Sequence, residues 1–124
     1  MTNQVEAAVE AFNDCINRRD LDGLAHLMSD DHNFVDSAVG TVSGKDACLK
    51  AWAGFFSAFP DYRNQLDQMI PDGNKVVITG CSTCSDARLA GPALWQAMVR
   101  GDQLVEWRVY EDTHSNRAAL GITN

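Results

Sequence analysis

Residues 62–83, which read YRNQLDQMIPDGNKVVITGCST, decide the fold. Within them, the segment Pro71-Asp72-Gly73-Asn74 is a strong turn signal. Residues 62–70 alternate loosely between apolar and polar types, and residues 75–83 are rich in β-forming types. A turn between two such runs is typical of a β-hairpin, so we predict two antiparallel strands here.

A second hairpin is predicted directly after the first. A strand runs from about residue 93 to residue 100, a tight turn follows at Gly101-Asp102, and residues 103–112 complete the pair. The four strands together are expected to form an antiparallel meander.

The sequence before the hairpins is predicted to be mainly helical. Residues 3–18 carry apolar side chains at spacings of three and four, which is the pattern of an amphipathic helix. A second, short helix has Asp20 as its N-cap and ends near Met28. A third helix begins with Ser43 as its N-cap and stops before Pro60.

A short strand over residues 33–38, closed by a turn at Gly40, is predicted between the second and third helices. The order is then ααβαββββ, which is typical of an α+β fold with helices on one face of an antiparallel sheet. Such a sheet has to curve strongly to cover three helices, and it leaves an opening at one end. Residues 1–124 contain no linker and no internal repeat, so we predict a single domain.

The charge balance bears on the partners of this chain. Asp and Glu outnumber Lys and Arg by 17 to 10, which gives a formal net charge of −7 in 124 residues. This charge repels nucleic-acid phosphates and anionic membranes, and no apolar run approaches the roughly 18 residues of a membrane span. The first residues also lack the features of a secretory signal. We therefore expect a cytoplasmic protein that binds neither nucleic acid nor a membrane.

Among the four cysteines, Cys81 and Cys84 have a spacing that also occurs in metal and redox sites. A second ligand pair is missing from the sequence, and strand residues three positions apart point to opposite faces. We expect packed, reduced thiols and no metal site.

Several short strings, combined with this order of elements, resemble one protein superfamily. They are Leu21-Asp22-Gly23-Leu24, Ser29-Asp30-Asp31, Phe59-Pro60-Asp61-Tyr62 and residues 106–112, EWRVYED. From about residue 4 to Gly121 the chain is similar to the nuclear transport factor 2-like superfamily, and most to its SnoaL-like branch. The resemblance implies a cone-shaped, bent sheet around an apolar cavity, and a homodimer formed through the outer face of the sheet.

The superfamily has many activities. Its members include ketosteroid isomerases, polyketide cyclases, limonene epoxide hydrolases, dehydratases and proteins whose pocket has no catalytic activity. The fold alone therefore does not identify a reaction. The chain has no Gly-x-Ser-x-Gly, no His-Glu-x-x-His and no glycine-rich phosphate loop. We therefore expect chemistry that needs no cofactor.

Asp36 is the first candidate catalytic residue. The resemblance puts it where ketosteroid isomerases have their proton-shuttling carboxylate. A carboxylate in an apolar pocket has its charged form disfavoured, which suits it to take a proton from a carbon next to a carbonyl group. The alternative is that Asp36 ends the short strand and caps the following turn through Ser37 and Gly40.

Two further positions differ from the isomerase pattern. The tyrosine that donates a hydrogen bond to the oxyanion in that family falls on Phe12, which cannot donate. The partner acid falls near Gln96, whose amide offers a weaker hydrogen bond to an enolate than a neutral carboxylic acid does. Phe12 and Gln96 are nevertheless predicted to line the pocket.

The last strand carries two rows of side chains by its alternation. The resemblance puts Trp107 and Glu111 on the pocket side, and Asp112 resembles the acidic residue that SnoaL-like cyclases have at the end of this strand. We count Glu111 and Asp112 among the candidate catalytic residues. For Arg108 and Tyr110 we favour a partly solvated or dimer-facing row with an ion pair.

The aromatic residues of the third helix and the next strand have two interpretations. Trp52 and Phe56 are predicted to line a hydrophobic pocket, although aromatic side chains at helical spacing are more often core. Trp95 faces away from Gln96 and either packs outward or fills the cavity. His32 is the one histidine suited to act as a general acid or base, but we favour a surface position for it.

Three functional hypotheses follow. The first is an enzyme that transfers a proton on a small hydrophobic carbonyl or cyclic substrate, as in isomerisation or cyclisation, with Asp36 as base and Gln96 or Glu111 orienting the substrate. An epoxide hydrolase is a variant that would draw its carboxylates from Asp36, Glu111 and Asp112. The third is a module without catalysis that binds a hydrophobic small molecule or dimerises.

Overall fold

The computed structural model of the chain describes residues 4–37 and 39–122. The predicted α+β class and the order of helices and hairpins are confirmed, with one additional short strand and one additional short helix. A single 3₁₀ turn, Ala87–Leu89, lies between β4 and β5. The elements are α1 Gln4–Arg18, α2 Leu21–Leu27, β1 Met28–Asp36, β2 Gly40–Ser43, α3 Lys45–Ala58, β3 Arg63–Asp72, β4 Lys75–Thr83, β5 Gly91–Arg100, β6 Gln103–Glu111 and α4 His114–Ala119.

The predicted helix start at Asn3 and the predicted strand end at Ala38 lie outside the described residues. Strand β1 begins at Met28, five residues before the predicted start. The second helix is correspondingly shorter, and Asp20 caps it as predicted, because its Oδ1 accepts a hydrogen bond from the Gly23 N–H at 2.9 Å.

The N-cap predicted at Ser43 is wrong. Helix α3 begins at Lys45, and its N-cap is Gly44, whose φ of 94° lies in the region that glycine tolerates best. Ser43 belongs instead to β2, where it pairs with Asn33 of β1. Because Ser43 is part of a paired strand, its backbone is extended, and the helix begins two residues later.

Six strands form one curved, open sheet in the order β2-β1-β6-β5-β4-β3. The two predicted hairpins are present, and β4 pairs antiparallel with β5. The purely antiparallel sheet that we expected is wrong in one place, because β1 runs parallel to β6. The reason is that β1 and β6 are not joined by a hairpin: helix α3 and other strands lie between them along the chain.

The core lies between the concave face of the sheet and the helices. The apolar stripe of α1 is buried there, and Phe12, Trp95 and Trp107 are fully buried. The ring centroids of Phe12 and Trp107 are 5.0 Å apart, and those of Trp95 and Trp107 are 6.4 Å apart. Burial of each such side chain contributes roughly 1.5–3 kcal/mol or more, so these rings hold α1 onto the sheet.

All four cysteines are free thiols, and Cys15 and Cys48 are buried. Within residues 4–37 and 39–122, no three His, Cys, Asp or Glu side chains are grouped so as to hold a metal ion. In the same part of the chain, no helix is both long enough and apolar enough to cross a membrane.

Strands β3 and β4 approach unusually closely at Gly80. Their register shifts by one residue between Leu66 and Gln68, which leaves Asp67 as a bulge. A Cβ atom on Gly80 would overlap the carbonyl oxygen of Gln65 and would lie 3.1 Å from the ring of Trp95. A glycine at this position therefore permits both the bulge and the packing of Trp95.

We predict that Gly80→Ala lowers the free energy of unfolding by about 1–3 kcal/mol, because the backbone carbonyl of Gln65 cannot move aside cheaply. The matched control is Gly54→Ala in α3, where a new Cβ meets nothing within 4 Å and should raise stability by about 0.5–1 kcal/mol. Urea unfolding measures both. Equal effects of the two substitutions would contradict the close approach at Gly80.

Candidate functional site

A cavity of about 620 Å³ opens at the end of the sheet where β1 and β6 finish and β5 begins. Its walls come from these strands, from α3, and from the segment of residues 88–92. Most of the lining is apolar or aromatic. The apolar side chains include Phe34, Val42, Ala51, Trp52, Phe55, Leu89, Pro92, Ala93, Trp107 and Val109.

The three predicted catalytic carboxylates, those of Asp36, Glu111 and Asp112, all line this cavity. Asp36 ends β1 and lies opposite Val109 in the parallel ladder. Glu111 lies two residues beyond Val109 on the same strand, and strand residues two apart share a face. The pairing of β1 with β6 thus brings together residues that are 75 or more positions apart in the sequence.

Asp36 adjoins an aromatic wall. On β1 it follows Phe34 by two positions, and the Phe34 ring meets the Trp52 ring edge-on at 5.6 Å. The Asp36 side chain is half-buried. Its backbone carbonyl accepts a hydrogen bond from the Val39 N–H at 3.1 Å, so β1 does end in a turn, as the alternative interpretation of Asp36 requires.

Asp112 is held in an ion pair with Arg117 of α4. The Arg117 Nε and Nη2 atoms donate to its two carboxylate oxygens at 2.6 and 2.9 Å. The hydrogen bonds from Arg117 lower the pKa of Asp112, so it remains ionised near neutral pH and is a weak proton acceptor. Its geometry suits the anchoring of α4 at the cavity rim.

A buried chain of polar groups, which sequence reasoning missed, reaches the cavity through Tyr62 and Ser82. The Tyr62 Oη lies 3.1 Å from the Ser82 Oγ, which donates to the Asn64 Oδ1 at 2.7 Å. Burial raises the pKa of Tyr62 and outweighs the hydrogen bonds from Ser82 and Asn64, which lower it, so its phenol is neutral. A regular hairpin predicts the wrong facing for Asn64, because the bulge at Asp67 reverses the side chains that precede it in β3.

Among the aromatic and amide residues predicted to line the pocket, Trp52 and Trp107 do so. Of the described residues, Phe12, Phe56 and Gln96 are not part of the lining. Phe12 is fully buried in the core, and Phe56 packs against Trp52 with their ring centroids 5.5 Å apart. Gln96 follows Trp95 on β5, and because Trp95 faces the core, Gln96 lies on the outer face.

The row of Arg108 and Tyr110 on β6 agrees with expectation. Arg108 forms the expected ion pair, with its Nε 3.1 Å from the Glu106 Oε2. The hydrogen bond to Glu106 raises the pKa of Arg108, and a smaller contribution comes from Tyr110, which lies beside it and also borders the cavity. Trp95 packs in the core and is not among the described residues that line the cavity.

The surface position predicted for His32 is wrong, because β1 starts early enough to carry His32 into the interior, where it is fully buried. Its Nδ1 lies 2.7 Å from the carbonyl oxygen of Leu104, which can only accept, so Nδ1 carries the proton. The Nε2 atom has no hydrogen-bond partner within the described part of the chain. Burial lowers the pKa of His32 below its ordinary value of 6.5 and keeps the ring neutral.

His32 should make the folded state sensitive to mild acid. Below pH 6.5 the unfolded chain binds a proton on His32 that the folded chain does not, so stability falls as the pH falls. We predict a loss of about 1 kcal/mol in the free energy of unfolding between about pH 6.5 and pH 5.5. His32→Asn, which keeps a donor for Leu104 but does not titrate, should remove most of this loss.

Chemical unfolding across this pH range measures the effect, and His114→Asn at an exposed position is the control for removing a histidine. The same loss in His32→Asn as in the unmodified protein would contradict a neutral, buried imidazole.

Comparison with known proteins gives a match to the family model of the SnoaL-like domain over residues 9–114. A comparison with curated protein sequences found no match. Several solved structures share the fold. A proposed polyketide cyclase from Sinorhizobium meliloti superposes with a TM-score of 0.77 at 14% identity, covering 88% of this chain and 100% of that chain.

An epoxide hydrolase of M. tuberculosis, similar to limonene epoxide hydrolases, also has a TM-score of 0.77, with 17% identity over 88% of this chain and 83% of its own. IdmH, a proposed polyketide cyclase from Streptomyces antibioticus, has a TM-score of 0.73, with 17% identity over 96% of this chain and 99% of its own. At these identities the likeness extends to the fold alone.

Proposed function

Because this chain belongs to the SnoaL-like domain family, we propose that it is an enzyme that needs no cofactor and transfers a proton on a small hydrophobic carbonyl or cyclic substrate. Asp36 is the proposed general base. Polyketide cyclases and an epoxide hydrolase are among the proteins that share its fold, which makes isomerisation, cyclisation and epoxide opening the reactions to consider first.

The observation that carries the proposal is the carboxylate of Asp36 in a cavity whose lining is mostly apolar or aromatic. A ring-shaped substrate packs against Trp52 and Phe55, whose own rings meet edge-on at 5.8 Å. Asp36 then takes a proton from the carbon next to the substrate carbonyl, and an enolate forms. Return of the proton to another carbon completes an isomerisation. In a cyclisation, the enolate carbon attacks a second carbonyl, and the alkoxide that forms takes the proton back from Asp36.

Glu111 remains the proposed orienting residue, since it lies on the exposed rim of the cavity. Gln96 has no part in the proposal because it faces away from the cavity. It lies on the outer face of the sheet, which is the proposed homodimer surface. The cavity-lining side chains include three carboxylates and one guanidinium, that of Arg88, so an uncharged substrate suits the site better than an anion.

The second candidate function is binding without chemistry. It is favoured by the observation that polar groups at the cavity are already bonded to protein groups, Tyr62 to Ser82 and Asp112 to Arg117. Epoxide opening, which needs an acid, a base and a bound water, is the less favoured alternative, because Asp112 is held ionised by Arg117 and does not supply the acid.

We predict that the protein catalyses exchange of the α-proton of a bound ketone with solvent deuterium, and that Asp36→Asn lowers the exchange rate about a hundredfold or more. Mass spectrometry of cyclic ketones incubated in D₂O measures the rate of exchange whether or not the ketone goes on to form a product. The control is Asp102→Asn in the turn between β5 and β6, at the opposite end of the sheet.

Thermal unfolding with and without ligand separates the two candidates. A ligand at about 100 times its dissociation constant adds roughly 2.7 kcal/mol of stability. A ketone that stabilises the protein but exchanges no proton supports the binding module. Exchange that persists in Asp36→Asn removes Asp36 from its proposed role.

A further inference from the structure

The Tyr62–Ser82–Asn64 chain has a definite direction of hydrogen bonding. A serine hydroxyl has one proton, and Ser82 donates it to the Asn64 Oδ1 at 2.7 Å, because a carbonyl oxygen can only accept. The remaining contact, between Tyr62 Oη and Ser82 Oγ at 3.1 Å, must then be donated by Tyr62. The Tyr62 proton therefore points at Ser82.

Strand pairing and helix α1 fix the position of Asn64, at the end of this series of hydrogen bonds. Asn64 and Ser82 lie opposite each other in the ladder of β3 and β4, and both are buried. The Asn64 backbone N–H donates to the Asn17 Oδ1 at 2.8 Å, and its carbonyl accepts from the Asn17 Nδ2 at 2.9 Å. The backbone of Asn64 is thus held in place. The orientation of its side-chain amide determines which group donates in each of the hydrogen bonds between Tyr62, Ser82 and Asn64.

The direction decides what Tyr62 offers to a ligand. With its proton donated to Ser82, the neutral phenol oxygen of Tyr62, a residue that lines the cavity, can only accept a further hydrogen bond. The carboxylate of Asp112, which Arg117 holds in its ionised form, is also an acceptor only. The oxygens on these walls are therefore complementary to a ligand that donates hydrogen bonds.

We propose that Tyr62 recognises a phenolic or enolic hydroxyl group, so that the substrate is a hydroxylated ring compound and not one that carries carbonyl groups alone. Ser82 and Asn64 are the positioning residues that set this preference. The inference rests on the proposed function in that it concerns the same cavity, but it requires no catalysis by Asp36.

Calorimetric titration with three tetralones tests the proposal. They carry a hydroxyl, a methoxy or a methyl group at the same ring position: the first donates, the second only accepts, and the third reports the bulk of the substituent. We expect the hydroxytetralone to bind about five- to tenfold more tightly than the other two, which is the effect of one net hydrogen bond.

Two variants test whether Tyr62 donates its proton to Ser82. Ser82→Ala frees the Tyr62 proton to donate into the cavity, so the methoxytetralone should gain affinity and the preference should fall to about twofold or less. Tyr62→Phe should abolish the preference. The matched control is Thr83→Ala, one residue further along β4 at an exposed position, which should keep it.

Equal binding of all three compounds, tighter binding of the methoxytetralone, or failure of all three to bind at millimolar concentration would overturn the proposal. Tighter binding of the methoxytetralone would mean that the Asn64 amide is oriented the other way and that Tyr62 donates. A hydroxytetralone that binds as expected but shows no deuterium exchange would count against the enzyme and leave this recognition intact.

Discussion

The parallel pairing of β1 with β6 is the constraint on which the cavity depends. No hairpin connects these strands, and 70 or more residues separate the paired positions. The ladder breaks between Met28 and Asn33, and at that break two side chains of β1 bond the same backbone carbonyl of β6. The His32 Nδ1 and the Ser29 Oγ lie 2.7 and 3.3 Å from the Leu104 oxygen. The buried histidine thus replaces ladder bonds and holds β1 in the register that carries Asp36 to the cavity.

The chemical character of the cavity follows from how its polar groups are held. Asp112 is bound by Arg117, and Tyr62 is bound through Ser82 to an asparagine whose backbone is clamped by α1. Asp36 comes from the end of a strand that packs against the aromatic wall. A largely apolar cavity with fixed acceptor oxygens is suited to hydroxylated, uncharged rings. The family and its structural neighbours share the fold but differ in activity, so this arrangement of groups, and not the fold, supports the proposed function.

Much of the fold can be predicted from the sequence because its signals are local. The stripe of α1, the Asp20 cap and the turn at residues 71–74 each depend on a few neighbouring residues. What cannot be predicted depends on distant pairing. Strand β2 is four residues long, and its partner β1 determines it, so the residues around Ser43 have the local pattern of a helix cap. The parallel ladder leaves no local pattern at all.

The residues of the candidate site also differ in whether they can be predicted from the sequence. Asp36, Glu111 and Asp112 are identified through the resemblance to the superfamily, and all three line the cavity. The hydrogen bonds that link Tyr62, Ser82 and Asn64 are not predicted, because one bulged residue reverses the facing of Asn64 in the first half of β3. Phe12 and Phe56 have side chains of a type that fits the pocket, but packing against Trp107 and Trp52 takes them into the core.

Ligand binding in the cavity between β1, α3 and β6 is the claim on which both proposals depend. The most direct test is to titrate ¹⁵N-labelled protein with the hydroxytetralone and to map the amide shift changes. We predict changes concentrated at Phe34, Asp36, Trp52, Tyr62 and Ala93, with little change at Gln96 and Met98 of the outer face. Changes concentrated on the outer face would contradict binding in this cavity.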